Sequence, residues 1–261
     1  MTSGHWTPDQ VKLAFHLYCQ LPFGRLHQRT PEVVNLAKLM GRTPSAVAMK
    51  MCNLASLDPA IRESGRSGLG NASKLDQEIW EAFHSDWESL ALECDQLRHE
   101  LTPGGSNEDL SIPEVEESTE QDFTGETKSV VAERRVKQNF FRRAVLSGYK
   151  GRCCMSGLSE PRLLIASHIV PWSRDKKNRL NPSNGLCLSA IHDRAFDKGL
   201  LTLSDSYEVL LSEELKRSKE PFIVEVLQPL DGRKIDLPER FVPAKEFVAR
   251  HRAECFVDSH G

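Results

Sequence analysis

Apolar and polar positions change rhythm along the chain, and the change divides it into a helical front, a polar middle and a mixed rear. After Thr7-Pro8, the apolar residues Val11, Leu13, Ala14, Leu17 and Tyr18 recur at the spacing of one helix face. Thr30-Pro31 opens a second run, Val33 to Met40, which Gly41 interrupts, and Thr43-Pro44 opens a third, Ser45 to Leu54. Each start has Thr where an N-cap accepts from the first turn, and Pro where the missing N–H costs nothing. From Leu75 to Leu97, Ile79, Trp80, Phe83, Trp87 and Leu90 mark one long amphipathic helix. Six acids and a single Arg between 77 and 98 make it a helix that packs on the N-terminal core or pairs with a second copy, giving a homodimer, rather than one that meets a polyanion.

The rhythm changes beyond residue 160. Leu163 to Val170 is rich in branched apolar residues and reads as a strand. Arg174 to Asn181 is charged and ends in Asn181-Pro182, a loop signal. Ser189 to Lys198 reads as a short helix with Ser189 as N-cap and Gly199 just past its end. Leu200–Leu203 and Tyr207–Leu211, separated by Ser204-Asp-Ser, read as a hairpin; an apolar segment, Phe222 to Leu227, and a last helix from about Pro243 to Glu254 follow. The fold class is therefore α+β, with an all-α domain over 1–98, a linker over 99–130 and a mixed domain over 131–261.

Net charge is −3, which looks wrong for a nucleic-acid partner until it is divided by segment. Residues 1–98 hold 10 Lys and Arg against 11 Asp and Glu. Residues 99–130 hold one Lys against nine acids, and residues 131–261 hold 23 Lys and Arg against 17 acids. The middle segment is acidic and helix-poor, the composition of a flexible spacer; the rear is basic. The start of the chain has no basic-then-apolar run, no segment approaches 18 apolar residues, and the cysteine count of seven is odd. These features point to a cytoplasmic protein with reduced thiols and no membrane partner.

Strand, loop and helix of the rear each hold one polar residue able to converge on a single site: His168, Asn184 and His192. With their surroundings, Ala166-Ser-His-Ile-Val-Pro-Trp172, Asn184-Gly-Leu and His192-Asp-Arg-Ala-Phe-Asp197, they resemble the HNH endonucleases, also called ββα-metal or His-Me finger nucleases. The likeness extends to Arg135–Arg142, Leu146–Arg152, Cys154-Met-Ser-Gly157 and Phe196–Leu201, flanks of a bacterial branch whose first histidine sits in an Ala-His-Ile or Ser-His-Ile context. A neutral imidazole can take a proton from water near pH 7, which makes His168 the candidate general base. The resemblance implies that Asn184 bonds the backbone across the loop and that His192 is a metal ligand. A divalent ion, Mg²⁺ or Mn²⁺ with Ni²⁺ or Zn²⁺ as further candidates, would polarise the scissile phosphate.

One position departs from the family. Many HNH enzymes carry a metal-binding Asp just before the first histidine, and here that residue is Ser167. Water, phosphate oxygens, Asp193 or Asp197 must complete the shell. Asp197 is the second metal-ligand candidate, although five residues after His192 is about 500° around a helix, so it is not quite on the same face. Cys154 and Cys187 both lack a cysteine partner at the spacing of a zinc knuckle, so no structural zinc is expected.

Double-stranded DNA is the implied partner. Arg174, Lys176, Lys177 and Arg179 beside the site are candidate phosphate contacts. Leu36 to Val47 resembles a helix-turn-helix with Ser45 to Asn53 as its recognition helix, which makes Arg42 and Lys50 candidate contacts in the front domain. The reading is a metal-dependent DNA endonuclease of restriction or phage-defence type. Its alternatives are a non-catalytic DNA-binding regulator on the same fold, which Ser167 keeps open, and a mobile-element or homing nuclease.

Overall fold

A computed structural model describes residues 4–63, 65, 70–102 and 128–260. Residues 103–127 of the acidic spacer expected over 99–130 lie outside the described residues. The architecture is α+β, and its contacts separate two units, Met1–Gly148 and Tyr149–Gly261. This seam falls later than residue 131, and the difference is one helix. No helix among the described residues is long and apolar enough to cross a membrane.

The first unit contains α1 (Pro8–Gln20), α2 (Pro31–Leu39), α3 (Pro44–Ala55), the short α4 (Pro59–Glu63), α5 (Lys74–Ser85), α6 (Trp87–Leu101) and α7 (Lys128–Gly148). Thr7 caps α1 through a capping box with Gln10, and Thr43 caps α3 by accepting from the Ala46 amide. Thr30 makes no such bond to α2; its hydroxyl donates to the Arg25 carbonyl instead. The core is centred on α1, which packs against α3, α5, α6 and α7. Phe15 meets Phe83 edge-on at 4.7 Å and Trp80 at 5.0 Å. The long helix expected over 75–97 is two helices. Asp86 leaves helical geometry (φ −152°) and its carboxylate accepts from the Ser89 amide, so it ends α5 and caps α6. Phe140 and Phe141 of α7 are buried, and α7 packs on α1 and α6, which is why the seam follows Gly148.

The second unit is built on two antiparallel hairpins. β1 (Leu164–His168) pairs with β2 (Gly185–Ser189), with Leu164 opposite Ser189, Ser167 opposite Leu186 and His168 opposite Gly185. The helix α8 (Ala190–Asp197) leaves β2 directly and packs back on both strands; Ser189 caps it by accepting from the His192 amide. β3 (Leu201–Leu203) pairs with β4 (Val209–Leu211), and α9 (Glu213–Arg217) follows. The apolar segment Ile223–Leu227 is a π-helical turn. The last helix, α10 (Lys245–Glu254), lies on β3 and stacks His251 on Phe196 at 3.7 Å. Gly199 lets the chain leave α8 with φ +66°, and a Cβ there would meet the Cys255 carbonyl at 1.9 Å, so only glycine fits.

Candidate active site

His168 ends β1 half-buried. Its Nε2 lies 2.9 Å from the Arg179 carbonyl, so Nε2–H donates and the lone pair is assigned to Nδ1. Burial holds its pKa down to about 4, and the bond to Arg179 offsets only part of that. The imidazole is therefore neutral at pH 7, the form a general base needs. Trp172 meets the ring edge-on at 5.5 Å, and the Arg179 guanidinium lies over Trp172 at 5.1 Å.

Asn184 is fully buried and joins the pieces of the loop that follows β1. Its Oδ1 accepts from the Val170 amide at 2.8 Å, and its Nδ2 donates to the carbonyls of Val170 at 3.1 Å and Asn178 at 3.3 Å. Its own carbonyl accepts from the Ile169 amide. Asn178 precedes Arg179, so these bonds hold the carbonyl that orients His168.

His192, on the first turns of α8, is buried. Its Nδ1 is 3.0 Å from Ser189 Oγ and 3.3 Å from Cys153 Sγ, and its Nε2 is buried with no hydrogen-bond partner. Burial alone would raise the Cys153 thiol, but hydrogen bonds from His192, Ser156 and the Met155 backbone bring it down to about 6. This Cys153–His192 contact was not visible in the sequence, since the two residues are far apart in the chain. Asp193, the next residue, is half-buried and faces Ser167. Burial raises its carboxyl, while Ser167 and Arg194 lower it in part. The Ser167 hydroxyl is buried but closes no good hydrogen bond.

Asp197 is exposed in the last turn of α8. Its charge reaches Cys255, on the C-terminal side of the unit. Among the described residues, no group of three or more His, Cys, Asp or Glu side chains gathers around one point. His192 and Asp197 are about 500° apart around the helix and so do not share one face.

The basic residues divide in the same way. Lys176 and Lys177 are exposed in the loop after β1. Arg174 is exposed but paired with Glu254 at 3.1 Å, and Arg179 is half-buried against Trp172. In the first unit, the expected DNA contacts are corrected. Lys50 is buried, with Nζ 2.7 and 3.0 Å from the two oxygens of Asp76, itself fully buried. Arg42 is spent on Gln10 and the carbonyls of Gly4 and His5, and lies over Trp6 at 4.2 Å. On α3 it is Ser45 and Met49 that face solvent, so this helix offers no cation to a phosphate.

No curated protein matches the chain. A family model does: the stretch that begins at Cys153 and runs through β1, the Asn184 loop, β2, α8 and β3 matches the model described as HNH endonuclease, over residues 153–204.

Proposed function

We propose that the protein is a metal-dependent DNA endonuclease, with His168 as general base. The observation that carries this reading is the clamped imidazole: Nε2–H donates to Arg179, and burial keeps the ring neutral. Nδ1 is then the nitrogen that takes a proton from the water attacking phosphorus. A phosphate brought beside the ring would raise its pKa from about 4 toward the range where proton transfer is most efficient. Asn184 positions the base through the loop backbone and touches no substrate. Lys176 and Lys177 approach the DNA backbone.

A divalent cation would supply charge neutralisation at the scissile phosphate and at the departing 3′ oxygen. The donors present fit such an ion. His192 Nε2 is buried without a hydrogen-bond partner, and the half-buried carboxylate of Asp193 follows it on α8. With so few protein donors, water and phosphate oxygens complete the shell, and Mg²⁺ or Mn²⁺ suits that arrangement. Cleavage of invading DNA, as in restriction or phage defence, is the role we assign, supported by a basic catalytic half joined to a separate helical unit.

Supercoiled plasmid, with and without modified bases, tests the reading in Mg²⁺, Mn²⁺ and EDTA. Wild-type protein is expected to nick or cut only with metal, and His168→Ala is expected to lose roughly 100- to 10,000-fold in rate. A His168→Ala protein that cuts at the wild-type rate refutes the assignment.

A further inference from the structure

The run Arg174 to Asn181, after β1, holds a single acid among its cations, Asp175. Its half-buried carboxylate serves the loop itself. Oδ1 accepts from the Asn178 amide at 3.1 Å, and Oδ2 accepts from Asn178 Nδ2 at 3.0 Å. Asn178 Oδ1 accepts in turn from Asn181 Nδ2 at 3.2 Å, and the Asn178 carbonyl accepts from Asn184. The next residue is Arg179, whose carbonyl takes the His168 Nε2–H. A second tie comes from outside the loop, 75 residues downstream. Arg250, in the middle of α10, places Nη1 3.5 Å from Asp175 Oδ2 and donates through Nη2 to the Arg174 carbonyl at 3.4 Å. Glu254, one turn on, steers that guanidinium by accepting from its Nε at 2.8 Å.

We propose that Asp175 is a positioning residue for the general base, and that Arg250 steadies it from α10. The proposal rests on the nuclease reading above. His168 spends Nε2–H on fixing its ring, so the direction of Nδ1 follows the place of the Arg179 carbonyl. Two side chains hold the residue before that carbonyl. Asn184 grips Asn178 by its backbone oxygen, and Asp175 grips it by its amide and its side chain. An acid is a poor choice for a loop whose exposed lysines, Lys176 and Lys177, meet phosphate in that reading, because it repels the same phosphate. Its two oxygens, both engaged on Asn178, account for its presence, and bonds to an ionised acceptor are stronger than bonds to a neutral one. The Arg250 pair is longer and partly exposed, so its share is the smaller.

The test pairs cleavage with binding, on the full chain. Asp175→Ala is expected to slow single-turnover cleavage of plasmid DNA roughly 10- to 100-fold. Its affinity for the same DNA in EDTA should hold or rise, because a negative charge has left the lysine loop. Asp175→Asn keeps one acceptor oxygen for the Asn178 amide and should recover most of the rate. Arg250→Ala should slow cleavage less than Asp175→Ala, and should add little when combined with it. Circular dichroism and a thermal melt verify the fold of each variant. A second readout needs no cutting: by NMR, the His168 Nε2–H proton, identified by its loss in His168→Ala, should exchange with water faster in Asp175→Ala than in wild type. An Asp175→Ala protein that cuts at the wild-type rate, one that loses DNA affinity in step with rate, an unchanged exchange of the His168 proton, or losses that multiply in the double variant overturns the proposal. A wild-type protein that cuts no DNA with any metal refutes the nuclease reading instead, and the proton exchange still decides whether Asp175 positions His168.

Discussion

Asn184 is the position where a single atom exchange should be felt both in stability and in rate. Asn184→Ala removes three side-chain hydrogen bonds and leaves the Val170 amide buried without an acceptor, Val170 being 1% exposed. A buried hydrogen bond contributes about 1 kcal/mol net, and an orphaned donor costs about 1–3 kcal/mol, so the expected loss is about 3–4 kcal/mol. In a unit of this size that is a fall in Tm of roughly 12–20 °C. The rate should fall further than stability explains, by about 100-fold at a temperature where the variant is folded, since the Arg179 carbonyl that orients His168 is no longer fixed. Asn184→Asp sharpens the test. It keeps the shape and the acceptor for Val170, but sets a second oxygen against the carbonyls of Val170 and Asn178. Its defect should shrink as pH falls, because a protonated carboxyl can donate again. Thermal melts and plasmid nicking over pH 5–8 are the measurements. An Asn184→Ala protein that melts and cuts like wild type would refute the account of the loop.

Lys50→Ala is expected to leave DNA affinity unchanged and to destabilise the first unit by about 3–5 kcal/mol, since it strands Asp76 as a buried charge; Lys176→Ala with Lys177→Ala should do the opposite, weakening binding and flattening its salt dependence by about two phosphate contacts, as read from a binding titration in rising salt. Stability should fall on acidification below pH 6.5. Burial lowers His16 to about 3, helped by Arg98 and Arg143, and lowers His251 to about 4. The unfolded chain therefore binds more protons between about pH 6.5 and 4, and each histidine removes up to about 1.4 kcal/mol per pH unit across that window. Urea unfolding at pH 7.5, 6.5 and 5.5 checks this, and a constant unfolding free energy from 7.5 to 5.5 contradicts it.

The sequence displays what local chemistry encodes. Threonine before proline marks the starts of α1 and α3, and Ser189 marks that of α8, because a capping hydroxyl acts within its own turn; at α2 the mark is Pro31 at the first helical position. The strand, loop and helix that carry His168, Asn184 and His192 are legible for the same reason. What depends on distant partners is not. Lys50 reads as a surface cation until Asp76, 26 residues on, is seen to bury it. One apolar stripe over 75–97 hides the break at Asp86, because the stripe resumes in phase after the kink. The basic sequence of α7 suggests the nuclease half, but Phe140 and Phe141 pack in the helical unit.

The meeting of Gly199 with the C-terminal segment has a consequence for how the protein is made. α8 is held from its far side by residues far downstream in the chain: His251 stacks on Phe196 and bonds its carbonyl and Thr202, and the Val257 amide bonds the Gly199 carbonyl. During synthesis the helical unit is complete more than a hundred residues earlier and can fold as the chain emerges. The packing around α8 cannot be finished until residues 245–257 leave the ribosome. A chain broken off before that point carries His168, Asn184 and His192 but lacks the segment that holds α8 from its far side.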